Sequence, residues 1–414
     1  MSLTYIEFFD PVSVENVATC LSYMPDEVVI IGDKKQVDDH KKHYERVFAD
    51  RGHPEVKFTS KPISKTNLKT AVQELRKLVE ACDECVFDIT GGDEVLVMAL
   101  GVACATSQKK IQVHKINLRS ATMYDCDCDG ETVFHDIPQL SVVENIRIYG
   151  GDVVQGDIHS SDTYNWQLTE DFCADVSAMW RICRGIGQNW NIWLSIFDVI
   201  CEVSESNGLS VSAPVQRVCA ALPASIRYGI GPGFIRVLLD AGLLTHFEDD
   251  GTTVSLGFKN EQVKRCLTIE GQVLELKMYI IAKQATNGGT PVYNDAMCGV
   301  KIDWDADLHA EDFVDVENEV DILLMHGVIP VFVSCKNGGV NPNELYKLHT
   351  VARRFGGPYA KMVLIAPALE NLENSDTIRR RAKEMDIRVL DGDTLRQADD
   401  EELTRQMKCL WFNS

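Results

Sequence analysis

Glu319-Val-Asp321-Ile-Leu-Leu-Met-His326-Gly327-Val-Ile-Pro-Val-Phe-Val-Ser334-Cys335-Lys336 is the stretch whose reading decides the fold. Two apolar runs flank a tight His326-Gly327 turn, which predicts a β-hairpin. Side chains alternate along a strand, so Ser334 and Lys336 share a face. Closing the hairpin brings Asp321 across from them. An acid, the Cys335 backbone carbonyl and an ammonium then converge, the minimum for holding a divalent cation beside a scissile phosphate. Lys336 ends the apolar run Val328 to Val333, where a charge needs a physical reason. The plainer alternative is that Asp321 and Lys336 decorate an edge hairpin, since such pairs recur by chance.

Working outward, residues 303–321 contain nine acids and no Lys or Arg, a solvated approach able to recruit cations. Asn337-Gly338-Gly339 opens a loop into a helical segment near 342–355, and Glu270-Gly-Gln-Val-Leu-Glu275-Leu-Lys-Met-Tyr reads as a preceding helix. These residues resemble the PD-(D/E)xK nuclease family, whose motif is Asp, a gap, Glu or Asp, any residue, then Lys. The resemblance covers roughly residues 265–370. It implies a restriction-endonuclease-like α/β domain with Asp321 as the metal-binding aspartate, Lys336 as the catalytic lysine and Glu275 as the helical glutamate. Ser334 stands where a carboxylate is expected, and completes the catalytic set as a neutral, weaker ligand. Mg²⁺ or Mn²⁺ is the implied cofactor, held by Glu275, Asp321 and the Cys335 carbonyl, with Glu319 as a further acid.

The whole chain sets bounds. At 414 residues it should hold two or three domains, and 45% apolar and 25% charged residues are ordinary for a soluble globular protein. No stretch reads as a membrane span, and the start, Met-Ser-Leu-Thr-Tyr-Ile-Glu, lacks a secretory pattern. Fourteen cysteines in that setting predict free thiols in a reducing cytoplasm. The pairs Cys82/Cys85 and Cys126/Cys128 invite a zinc reading, but no matched Cys/His set accompanies them, and Cys85 reads as a small buried hydrophobe. A net charge of −21 argues against tight nonspecific binding along nucleic acid backbones. A local basic face is available at Lys347, Arg353, Arg354 and Lys361, while Arg379, Arg380 and Arg381 read as a solvated helix surface.

Residues 1–150 alternate strands (4–9, 27–31, 56–62, 84–90, 111–118) with helices (14–24, 38–51, 65–82, 93–107), predicting a Rossmann-like, doubly wound parallel sheet. A hairpin of 121–126 and 131–137 turns at Asp129-Gly130. Residues 151–262 form a different unit: Trp166, Trp180, Trp190 and Trp193 fall in helical stretches as packing anchors, and two helices followed by the hairpin 243–258 look like a winged helix. Its recognition helix, 232–240, carries only Arg236 as a basic residue, so the module reads as a spacer or dimerisation element rather than a DNA reader. Residues 263–414 form the third unit.

Cys85-Val-Phe-Asp-Ile-Thr90-Gly91-Gly92-Asp93-Glu94 is the second informative segment. A buried strand ends in Thr-Gly-Gly and a helix starts at once. Glycines admit close backbone approach, and a helix N-terminus favours phosphate. A purely structural strand-to-helix turn with an Asp cap is the alternative. The loop after the first strand, Asp10-Pro-Val-Ser13-Val-Glu-Asn16, should face Thr90–Asp93 across the crevice where strand order reverses. These residues resemble the CARF domain, which senses cyclic oligoadenylates through Thr-Gly-Gly-Thr-Lys after the fourth strand and an Asn-bearing loop after the first. Thr90, Gly91, Gly92 and Asn16 match, whereas Asp93-Glu94 replaces Thr-Lys. Phosphate contacts are then expected from backbone N–H groups and donors such as Ser13, Thr90, Lys34 or Lys35, with Asp93 lining the site.

The succession of CARF-like, winged-helix-like and PD-(D/E)xK-like parts resembles the ancillary effector nucleases of type III CRISPR systems. That resemblance implies a homodimer with a cyclic oligoadenylate, most often cyclic tetra-adenylate, on its two-fold axis, switching on metal-dependent cleavage of DNA or RNA. Lys336 would stabilise transition-state charge or orient the attacking water. Two rivals stay open: a ligand-responsive transcription regulator using residues 225–258, and degradation of the cyclic ligand by the amino-terminal part.

Overall fold

The computed structural model describes residues 2–118, 122–126, 133–154, 163–187, 189–206, 208–306, 317–392, 395 and 397–411. The amino-terminal sheet comprises β1 (Leu3–Phe8), β2 (Glu27–Ile31), β3 (Lys57–Lys61), β4 (Glu84–Asp88), β5 (Gln112–Asn117), β6 (Thr122–Asp125) and β7 (Phe134–His135). Its order is β3-β2-β1-β4-β5-β6-β7, parallel from β3 to β5 and antiparallel at β6 and β7. Strand β2, Glu-Val-Val-Ile-Ile, is apolar at successive positions because both sheet faces are covered. Helices α3 (Leu68–Ala81) and α4 (Glu94–Thr106) close one face around Ile6, Phe8 and Phe87. Helices α2 (Lys34–Asp50) and α5 (Val142–Ile148) close the other around Tyr5, Tyr44 and Phe48.

Strand order reverses between β1 and β4, so the loops following these two strands flank a crevice at their carboxyl ends. The helix expected over 14–24 is instead a 3₁₀ turn, Ser13–Asn16, and a short α1, Cys20–Tyr23. The Asn16 amide explains the break: it accepts from Asp10 N at 2.7 Å and donates to Asp10 O at 2.7 Å, fixing the chain in a loop. The expected turn at Asp129-Gly130 lies outside the described residues, as do 307–316 of the acidic run.

A two-residue strand β8 (Asp152–Val153) leads to α6 (Glu170–Ile186) and α7 (Asn189–Val203). Then follow β9 (Ser210–Pro214), α8 (Val215–Ala221), α9 (Pro232–Asp240), β10 (Leu244–Asp249), β11 (Thr253–Phe258) and α10 (Glu261–Thr268). The small sheet is ordered β10-β11-β9, and β9 was not anticipated from sequence. Trp190, Phe197, Phe234 and Phe258 fill this unit. Trp166 precedes α6 instead of lying on a helix, and stacks on Phe172 with centroids 5.7 Å apart.

Beyond it lie α11 (Gln272–Gln284), a small hairpin of β12 (Thr286–Asn287) and β13 (Thr290–Pro291), β14 (Asp295–Asp303), β15 (Glu317–His326) and β16 (Ile329–Cys335). Helix α12 (Pro342–Gly356), β17 (Lys361–Ala366), α13 (Ser375–Glu384), β18 (Ile387–Asp391) and a last helix, Asp400–Lys408, complete the chain. The second sheet is ordered β18-β17-β16-β15-β14-β8, with β16, β17 and β18 parallel and the remaining pairs antiparallel. Alternation along β15 sends Ile322 and Leu324 into the core shared with α11, and Leu323 and Met325 into the core shared with α12. This second core also contains Tyr5, Val28 and Phe48, so it is continuous from the first sheet to the second. Among the described residues, no helix is long and apolar enough to cross a membrane.

Candidate functional site

Register decides the first site. Ile322 pairs with Val333, which places Asp321 beside Ser334. Three donors converge on Asp321 Oδ2: Cys335 N at 2.6 Å, Ser334 Oγ at 3.2 Å and Lys336 Nζ at 3.2 Å. Ser334 therefore serves as a donor that fixes the aspartate. Lys336 Nζ also lies 3.8 Å from Glu344 Oε2, at the start of α12. Burial pulls the Lys336 ammonium down, but Asp321 and Glu344 outweigh it and hold its pKa above the ordinary value. Glu344 is the acid that sequence reasoning missed; it lies on a separate helix, and only the tertiary fold brings it to Lys336.

Glu275 enters from α11, a helix buried nearly all round, and accepts from Gln272 Nε2 at 3.1 Å. Burial, then the charges of Asp321 and Glu319, push its carboxyl up to about 8 against the pull of Lys336 and Arg265. Between its ordinary 4.5 and about 8 the folded chain therefore binds more protons than the unfolded one, and stability falls as pH rises across that window. Glu275→Gln keeps the size and removes the ionisation. In EDTA its unfolding free energy, measured by denaturant titration, should match wild type near pH 4.5 and exceed it increasingly up to pH 9, by roughly 3–5 kcal/mol. A gap that does not widen with pH would contradict this electrostatic account.

The second site is the amino-terminal crevice. Its two loops touch: a Cβ on Gly91 would stand 2.7 Å from Asp10 Cβ, and Gly92 has φ +103 with Phe8 Cβ only 2.5 Å from where its own Cβ would be. Thr90 Oγ1 accepts from Ile116 N at 2.9 Å, tying the loop to β5. Asp93 caps α4 by accepting from Val95 N at 2.9 Å. Lys34 opens α2 at the end of β2 and is exposed. Ser13 and Asn16 are buried, and Asn16 also donates to Tyr44 Oη at 3.1 Å, so these two shape the crevice from beneath. Under it, Glu7 and Asp88 are register partners, both fully buried and both receiving the Thr19 hydroxyl. Burial pushes Asp88 up to about 6 and Glu7 well above the carboxylate range. Sequence reading missed this pair because each acid sits inside an ordinary apolar strand.

Hydrogen bonds tie the crevice turn and α5 to the carboxyl end of α12. Tyr359 Oη, in the 3₁₀ turn Gly357–Tyr359 after α12, donates to Glu15 Oε1 at 2.5 Å, and Glu15 belongs to the crevice turn Ser13–Asn16. Burial pushes Glu15 up to about 7 against that hydrogen bond. Asn145 Nδ2 donates to Phe355 O at 2.7 Å across the same junction. The basic face expected around α12 is largely committed: Arg354 donates to Tyr149 O at 2.5 Å, Arg353 to Gly357 O at 3.3 Å, and Lys347 pairs with Glu344 at 3.3 Å. On α9, Arg236 lies 3.7 Å from Asp240.

No protein-family model matches this sequence, and no curated protein matches it. Solved structures do share its fold. One is protein VC1899 from Vibrio cholerae, at 17% identity and TM-score 0.73, covering 99% of each chain. Another is Can2 from Sulfobacillus thermosulfidooxidans in complex with cyclic tetra-adenylate, at 15% identity and TM-score 0.64, covering 100% of each chain.

Proposed function

We propose that this chain is a cyclic oligoadenylate-gated, metal-dependent endonuclease of CRISPR defence, cleaving DNA or RNA. The observation that carries the reading is the convergence of Ser334, Cys335 N and Lys336 on one oxygen of Asp321, with the half-buried Glu275 close enough to feel its charge. The full-length likeness to a protein solved with cyclic tetra-adenylate supports the choice of activator.

The donors fit a hard divalent cation: Glu275 and Asp321 supply carboxylate oxygens, Cys335 a carbonyl, and a cation would relieve the repulsion from Asp321 that adds to burial in raising Glu275. Mg²⁺ or Mn²⁺ there would polarise the scissile phosphate and lower the pKa of a water. Ser334 and Cys335 N hold Asp321 in one orientation, and Lys336 supplies a positive charge for the oxyanion that develops on phosphorus.

The activator would occupy the crevice of two chains in a homodimer, against Thr90, Gly91, Gly92, Asp93 and Lys34, over the floor built by Ser13 and Asn16. Helix α4 supports the dimer: Met98 and Val102 on it are 59% and 41% exposed, a bare apolar stripe beside the crevice. Met98→Lys should shift the chain to monomer in light scattering and weaken activation; an unchanged mass would remove α4 from the interface. The function itself is tested by giving the purified chain cyclic tetra-adenylate and Mn²⁺ with plasmid DNA and single-stranded RNA. Cleavage requiring both additions is expected, and no cleavage of either substrate would overturn the reading.

A further inference from the structure

We propose that His114, Asp125 and His135 form a binding site for a divalent transition-metal cation of the zinc class, clasping the last three strands of the amino-terminal sheet. Each residue comes from a different strand, β5, β6 and β7, and one donor atom from each lies within 4.8 Å of the other two. Asp125 Oδ1 is 2.8 Å from His114 Nδ1 and 3.0 Å from His135 Nε2. A tetrahedral ion with bonds of about 2.0–2.2 Å sets its donors roughly 3.3 Å apart, so the two separations from Asp125 need to open by only a few tenths of an ångström.

The surroundings suit a resident ion. His114 is fully buried, and Tyr23 Oη stands 2.9 Å from its Nδ1, next to where a fourth oxygen would be needed. Gln112 Nε2 approaches Asp125 Oδ1 at 3.4 Å. Two imidazoles and one carboxylate favour zinc-class ions over the Mg²⁺ or Mn²⁺ suited to the all-oxygen cluster at Asp321. There is also a structural need. Strand β7 has two residues and β6 four, at the edge of the sheet, and so short a ribbon is marginal without a tie. Cys-based spacing could not reveal this site. Its residues stand eleven and ten positions apart in sequence, and only the pairing of His114 with Asp125 and of His135 with Met123 assembles them.

The test uses the full chain, stripped with chelator, dialysed against Zn²⁺ and assayed by elemental analysis and thermal melting. Because Zn²⁺ can also enter an oxygen cluster, every measurement is repeated in Asp321→Asn. Wild type and Asp321→Asn should each take up about one tight equivalent and melt higher with it. His135→Ala, at a half-buried position, and Asp125→Asn should bind about a hundredfold more weakly or worse, with no melting response. His135→Cys, which restores a zinc ligand, should recover uptake. Equal uptake by wild type and His135→Ala, loss of uptake in Asp321→Asn, or no uptake by wild type would each overturn the proposal.

Discussion

Lys336→Ala should lower activator-dependent cleavage by about a hundred- to a thousand-fold, the scale seen when one stabiliser of transition-state charge is deleted. Among the described residues, the lysine is the one cation ion-paired with Asp321, at 3.2 Å, and it faces Glu344 at 3.8 Å. Its removal leaves Glu275, Glu319 and Asp321 less neutralised, so divalent-cation affinity should hold or increase while turnover collapses. Calorimetric Mn²⁺ titration beside single-turnover cleavage separates those two effects. Asp321→Asn should lose both binding and turnover. A Lys336→Ala chain that cuts at the wild-type rate would remove this cluster from the chemistry, whatever the activator does.

Gly91→Ala should weaken cyclic tetra-adenylate binding by roughly ten- to a hundred-fold, as measured by titration calorimetry. The new methyl would lie 2.7 Å from Asp10 Cβ, closer than real contacts allow, and a tight 3.0 Å from Phe8 O. One loop must retreat from the other, and such overpacking costs about 1–3 kcal/mol. At about 1.4 kcal/mol per decade of affinity, that cost falls in the predicted range if the closed crevice is the binding form. Gly185→Ala, on α6 with nothing within 4 Å of the added Cβ, is the matched control and should leave binding unchanged. Identical affinities for the Gly91 variant and the control would place the ligand elsewhere.

The hairpin was legible because a period-2 apolar pattern and a tight turn specify both register and face, and these two facts alone bring Asp321 to Lys336. The parallel strands β1 to β5 were legible for a related reason: apolar runs alternate with amphipathic helices at regular spacing. Strand β14 carried a usable signal that went unread, Ala296, Cys298, Val300 and Ile302 being buried in strict alternation. Other features had no local signal. Glu344 approaches Lys336 from a separate helix, and Glu7 meets Asp88 across 81 positions of sequence only because β1 and β4 pair. The basic residues of α12 misled because composition cannot say which arginines end on backbone carbonyls, as Arg353 and Arg354 do.

The hydrogen bond from Tyr359 to Glu15 carries one last consequence. It joins a turn lining the crevice to a segment that continues α12, whose first turn holds Glu344 against Lys336. Whatever free energy passes along that route is reciprocal: an activator that tightens the grip on cation and substrate is itself gripped more tightly, by the same factor, while they are bound. A chain engaged with its target would then release its messenger slowly, and an idle one would release it fast. Memory of the signal would thus be longest where there is still something to cut.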